Sequence, residues 1–255
     1  MLTYSLHILG SLVNKKIIFF LCCFPVILFA KDITANAFIE IKISTEELQK
    51  ICVKNQKICD ADSGRLWKIK GTKESIYYVI DSSPTLLKIE KIKNKYNILN
   101  VWNFSKYQHS YQSLDEEGIT FNGMKIYPAL YPLNNKDYAI ALINEWFAGY
   151  SGGGKVEQFA DFLLLHDDNS YDLAIRSIPF YSSEMIRACF SQEEYWKSPH
   201  CHDETGSILN IQFKDIGKKY YQWTLIYTDF DWPSFVPEKE KRTSKFSEII
   251  TPFHP

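Results

Sequence analysis

Apolar positions first recur at a spacing of two between Phe38 and Ile43, where Ile39, Ile41 and Ile43 alternate with Glu40 and Lys42. This predicts a short strand with the isoleucines on one face. Ser44 followed three residues on by Glu47 is a capping box, which predicts a helix from Glu46 to about Val53. Asp60-Ala61-Asp62-Ser63-Gly64 reads as a turn, and beyond it the period returns to two. Strands are expected at Leu66 to Lys70, Ser75 to Asp81, Leu86 to Ile92 and Tyr96 to Phe104. In the last of these, Tyr96, Ile98, Trp102 and Phe104 are expected to share one face, with Asn97 and Asn103 on the other.

Residues 105–123 are polar and turn-rich, the expected seam between two lobes, 38–105 and 124–235. Pro128 and Pro132 punctuate the next stretch. Tyr138 to Phe147 is an apolar run whose periodicity does not separate a buried strand from a short helix. Two hairpins follow. Phe159 to Leu165 and Tyr171 to Ile178 flank the turn Asp167-Asp168-Asn169-Ser170, and Leu209 to Lys214 and Tyr221 to Thr228 flank a turn near Gly217. Residues 236–255 read as a polar tail. The expected fold is α+β, predominantly antiparallel β with a short N-terminal helix, in a single globular unit over 31–235.

The chain has 255 residues, 45% hydrophobic and 23% charged, the composition of a folded protein. Twenty-nine Lys and Arg against thirty Asp and Glu give no whole-chain basic field, so nucleic acid is not an expected partner. The apolar run from Ile17 to Ala30 follows Lys15 and Lys16 and is too short to span a bilayer. It predicts a signal peptide over 1–30, cut after Ala30, with Ala37 of Ala35-Asn36-Ala37 as the other candidate. No membrane span is then expected to remain. Residues 1–12 precede the basic pair, so translation starting near Leu12 or Val13 would leave a complete signal.

Cys52, Cys59, Cys189 and Cys201 remain after cleavage, an even number that favours disulfides in a periplasmic or secreted protein. The expected connectivity is local, Cys52 with Cys59 and Cys189 with Cys201.

Few motifs suggest chemistry. Gly149-Tyr150-Ser151-Gly152-Gly153-Gly154-Lys155 matches a phosphate loop as far as its lysine, but Val156 stands where a Ser or Thr should hold magnesium. Nucleotide is therefore not expected there. His200-Cys201-His202-Asp203-Glu204 is the densest set of metal-ligand types, with His166, Glu193 or Glu194 as the third ligand that would complete a zinc site. His-Glu-x-x-His does not occur in the sequence. Asp167-Asp168-Asn169 lacks the glycine and distal glutamate of a calcium loop and reads as a turn. Lysines from Lys68 to Lys95 read as solvated strand faces.

Sixteen Tyr and six Trp are the other compositional signal, and Trp146, Tyr150 and Trp232 sit among polar residues where such rings serve recognition. The expectation is a non-enzymatic exported protein that binds another protein of the cell envelope, of the inhibitor or immunity type, without a cofactor. The competing reading is an exported metal-dependent hydrolase using the His200/His202 region.

Overall fold

Period-two alternation becomes one antiparallel system of twelve strands. In this computed structural model the described residues are 32–53, 58–93, 95–109, 118–197 and 200–254, so the expected signal segment lies outside them. Strands hold 59% of these residues and helices 8%. The chain is thus mostly antiparallel β, and the α+β label fits it only loosely. The strands are β1 (Asn36–Ile41), β2 (Arg65–Ile69), β3 (Ile76–Ile80), β4 (Thr85–Ile92), β5 (Lys95–Asn103), β6 (Thr120–Pro132), β7 (Tyr138–Tyr150), β8 (Gly153–Leu165), β9 (Tyr171–Arg187), β10 (His202–Lys214), β11 (Gln222–Trp232) and β12 (Arg242–Ile250). The helices are α1 (Thr45–Cys52) and α2 (Gln192–Lys197). Spatial order is β12-β11-β10-β9-β8-β7-β6-β1-β2-β3-β4-β5. Two meanders therefore meet at β1, which pairs with β2 on one side and β6 on the other.

Burial orders these strands into layers. Tyr78, Leu86, Trp102 and Phe104 of the first meander share a core with Ile126, Ile140, Leu142 and Leu163 of the second, so the two expected lobes are joined by a common apolar layer. On the far side of the first meander, Leu48, Ile51 and Cys52 of α1 cover Leu66, Val79, Leu87 and Ile89. On the far side of the second, Ala141, Ile143, Phe162 and Trp223 form another layer. The strand β7 is buried on both faces, with Ile140 and Leu142 toward one layer and Ala139, Ala141 and Ile143 toward the other. This double burial made its sequence a continuous apolar run.

The helix starts at the expected cap. Ser44 Oγ accepts from Glu47 N at 3.2 Å, while the Glu47 carboxylate turns away to accept from Tyr96 Oη at 3.0 Å. Only half of the capping box forms, and its other half ties the helix to β5.

In β1, Phe38 is buried in the shared core while Ile41, with Ile43 beyond the strand, packs against the helix layer and Ile39 is exposed. Two expectations are corrected. In β5, the register slips between Lys88↔Asn100 and Ile89↔Ile98. Leu99 is the extra residue of a bulge, so Tyr96 and Ile98 face the helix layer while Trp102 and Phe104 face the shared one. Residues 236–255 are not simply a tail, since they supply β12, and Phe253 N donates to Ala174 O at 2.8 Å. The strand β6 was missed because of Pro128. Its pairing with β7 jumps from Ile126 to Leu130, so the proline sits in the irregular stretch and removes no ladder bond.

Both disulfides have the local connectivity, Cys52–Cys59 and Cys189–Cys201. Such bonds form and persist in an oxidising, extracellular type of environment. No described helix is long and apolar enough to cross a membrane.

Candidate functional site

The strands β7 to β10 are long, thirteen to seventeen residues each. Only part of that length is buried on both faces. In β7 burial is continuous from Ala139 to Asn144 and lapses toward Tyr150, and in β8 the residues from Gly153 to Phe159 are only half-buried. At 3.3 Å per residue the strands run roughly 20 Å beyond the core as a two-sided ribbon.

Its tip is built from two loops. Tyr150 pairs with Gly153, leaving Ser151 and Gly152 as a two-residue turn in which Gly152 has φ +89°. That conformation favours glycine. A Cβ on Gly153 would lie 2.1 Å from Met185 O, so the glycine also lets β9 approach. Arg187 N donates to Gly152 O at 2.7 Å, fastening the turn to β9. The second loop joins β9 to β10 and is closed by Cys189–Cys201, with Ala188 N donating to Cys201 O at 2.9 Å.

Within the disulfide loop, Ser191 and Glu194 form a capping box that starts α2. Glu194 Oε2 accepts from Phe190 N and Ser191 N at 2.8 Å, and Glu194 N donates to Ser191 Oγ at 3.3 Å. The backbone donors Phe190 and Ser191 hold the Glu194 carboxyl below its ordinary range. The Arg187 guanidinium lies 5.4 Å from the Phe190 ring and 5.8 Å from that of Tyr195, and its Nε donates to Cys189 O at 2.6 Å. The outcome is a braced loop with apolar rings in water. Phe190 is 74% exposed and Trp196 80%. Met185, Ile186, Tyr150 and Tyr195 are exposed beside them.

Of the sequence-derived partner residues, Trp146 and Tyr150 share one face of β7. The Tyr150 hydroxyl donates to Glu184 Oε1 at 2.7 Å, and desolvation followed by that carboxylate pushes its pKa up to about 12. Trp146 is half-buried, 5.5 Å from the His109 ring and 5.2 Å from that of Phe121. The His109 and Phe121 rings line a cleft of about 490 Å³ together with Tyr107, Met124, Lys125 and Glu145. Trp232 stands apart from both. Its row runs through Glu204, Met185 and Gly154 to Gly149, which puts it four strands away from β7 and on the other face from Tyr150. Its ring is covered by His200 at 3.7 Å and 5°, and its Nε1 donates to Val236 O at 2.8 Å.

The histidines of the metal reading are not brought together. His202 lies opposite Arg187 near the tip, whereas His166 follows the other end of β8 and pairs with Asp172 at 2.9 Å. The thirteen residues of β8 separate these ends by roughly 40 Å. Cys201 is committed to its disulfide. Among the described residues no group of three His, Cys, Asp or Glu has the spacing to hold a metal ion.

The phosphate-loop resemblance resolves into the β7–β8 hairpin. No described helix follows it directly to present N–H groups to a phosphate, and Lys155 pairs with Glu157 at 2.9 Å.

Sequence reasoning missed Phe190, Tyr195 and Trp196. Their signal was present in Ser191-Gln192-Glu193-Glu194 between two cysteines, a capping box too short to stand out by periodicity. Compared with protein-family models, curated proteins and solved structures, the chain shows no match.

Proposed function

We propose that this chain is a non-enzymatic exported protein, periplasmic or secreted, that binds another protein of the cell envelope through the tip of the ribbon, in the manner of an inhibitor or immunity factor. The observation that supports it most is the pair Phe190 and Trp196, 74% and 80% exposed on a loop braced by a disulfide, a capping box and Arg187. Large exposed rings on a soluble surface mark interaction sites, and aromatic anchors dominate binding energy. Bracing reduces the ordering cost that a mobile loop would incur on association. The two disulfides suit an oxidising compartment.

The test compares the wild-type chain with Phe190→Ala and Trp196→Ala. Each variant is expected to keep the melting temperature and to weaken partner binding at least about tenfold, the equivalent of roughly 1.4 kcal/mol. A tagged chain that recovers no protein from envelope extracts and gives no protection against a co-encoded envelope toxin would remove the proposal.

A further inference from the structure

The two edges of the sheet differ. At β5 the turn between β8 and β9 covers the edge: Asn169 Oδ1 accepts from Val101 N at 2.9 Å, and Asn100 Nδ2 and Trp102 Nε1 donate to the carbonyls of Asp167 and His166. At β12 no described strand lies outside. This strand keeps unbroken register with β11 from Trp223↔Ile250 to Asp231↔Arg242, with no proline and no bulge. Phe246 and Ile249 on it are 55% and 62% exposed. A long regular edge of this kind offers a row of backbone donors and acceptors to another strand.

We infer that β12 pairs antiparallel with β12 of a second copy of this chain, about a two-fold axis beside Phe246. Symmetry restricts the choice of register. A two-fold normal to the sheet sets residues of equal parity opposite each other, because facing residues point to the same side. The axis must then pass beside one residue. Phe246 is the middle residue of Arg242–Ile250, so it is the centre that pairs all nine residues of the strand. Centring on Lys245 or Glu248 would shorten the ladder and set like charges face to face.

With Phe246 at the centre, the strand complements itself. Lys245 lies opposite Ser247, Ser244 opposite Glu248, and Arg242 opposite Ile250. Arg242 then becomes the diagonal neighbour of Glu248 of the second copy on the Phe246 face, within reach of a long side chain. Tyr227 already stacks on Phe246, with ring centroids 4.6 Å apart and planes at 15°. The pairing extends this stack across the seam to Phe246 and Tyr227 of the second copy. The partner is set by the match of β12 with its own reversed sequence.

The test uses the folded full chain. Sedimentation across a range of concentrations is expected to give a reversible dimer, and Phe246→Lys, which sets two ammonium groups opposite each other, is expected to give a monomer with unchanged circular dichroism. Oxidation of the Phe246→Cys variant is expected to yield a covalent dimer whose mapped link joins position 246 of one copy to position 246 of the other. Ser244→Cys, whose position faces Glu248 instead, is expected to link at least several-fold less. A wild type that stays monomeric at all concentrations overturns the inference, and so does equal linkage through positions 244 and 246. Phe246 is remote in sequence from Phe190 and Trp196, so partner binding and dimer formation are read independently.

Discussion

Glu145 on β7 and Lys125 on β6 form an ion pair of 2.7 Å across the ladder. The carboxylate also accepts from Asn122 Nδ2 at 2.7 Å and Gln158 Nε2 at 2.6 Å, so three donors from two neighbouring strands converge on one group at the base of the ribbon. The Lys125 bond, assisted by Asn122 and Gln158, holds the Glu145 carboxyl below its ordinary value of 4.5. A depressed folded-state pKa contributes stability that is present above the unfolded value and is lost as pH falls through the folded one.

Glu145→Gln is therefore expected to lower stability at pH 7 by about 1 kcal/mol, a modest figure because the Lys125 ammonium remains largely in water. The difference from wild type should shrink as pH falls below the ordinary 4.5 and through the depressed folded-state value, where the wild-type carboxylate takes up its proton. Urea titrations of both proteins at pH 7 and pH 3 measure this, and a difference that grows in acid contradicts it.

Asp161 is fully buried in β8. Its Oδ1 accepts from Ser177 N at 2.7 Å, and Ser177 is a non-glycine residue held at φ 50°. The pairing of β8 with β9 shifts register here. The carboxylate thus satisfies the donor that a bulge exposes inside the core. Asp161→Ala should cost about 3 kcal/mol by orphaning that donor, visible as a large fall in the urea midpoint.

Gly153 lies under the approach of β9 to the hairpin tip. An alanine methyl there would meet Met185 O at 2.1 Å and the Tyr150 ring at 2.7 Å. Gly153→Ala is expected to lower stability by about 1 to 3 kcal/mol and to weaken partner binding by displacing the tip. Gly71→Ala is the complementary case, since nothing lies within 4 Å of the added carbon and its cost comes from the φ of +80° alone. Thermal melts and hydrogen exchange of the tip amides distinguish the two.

Closing Cys189 to Cys201 restricts the unfolded chain over a loop whose chain-entropy contribution is about 3 kcal/mol, and Cys52–Cys59 over a shorter loop contributes slightly less. Cys201→Ser should lower the melting temperature and also free the Phe190 and Trp196 loop, so partner affinity falls with it. Reductant should lower the melting temperature of wild type and scarcely change that of a variant lacking all four cysteines.

Much of the β structure was legible because a strand that buries one face alternates, as β10 and β11 do, while β2, β3 and β4 send apolar residues to both layers and stood out as short runs bounded by turns. The disulfide pairing was legible too, since two short loops needed no long-range coincidence. The capping box at Ser44 announced α1, while the identical device at Ser191 went unread because six helical residues carry too little periodicity.

What the amino-acid order determined by itself was the predominance of antiparallel β structure, the local disulfides and the paucity of catalytic signatures, all of which rest on neighbours in sequence. Tertiary structure decided the rest. The bulge at Leu99 reassigned the faces of β5, because one extra residue reverses every side chain beyond it, whereas the two extra residues between Ile126 and Leu130 leave the faces of β6 unchanged. Trp146 and Trp232, equivalent in sequence context, were set four strands apart by the order of the sheet, and Phe190 and Trp196 became a presented surface when a disulfide and a glycine hairpin set them beyond the core. Such relations depend on which strand lies beside which, and that follows from the burial of the whole chain rather than from any local pattern.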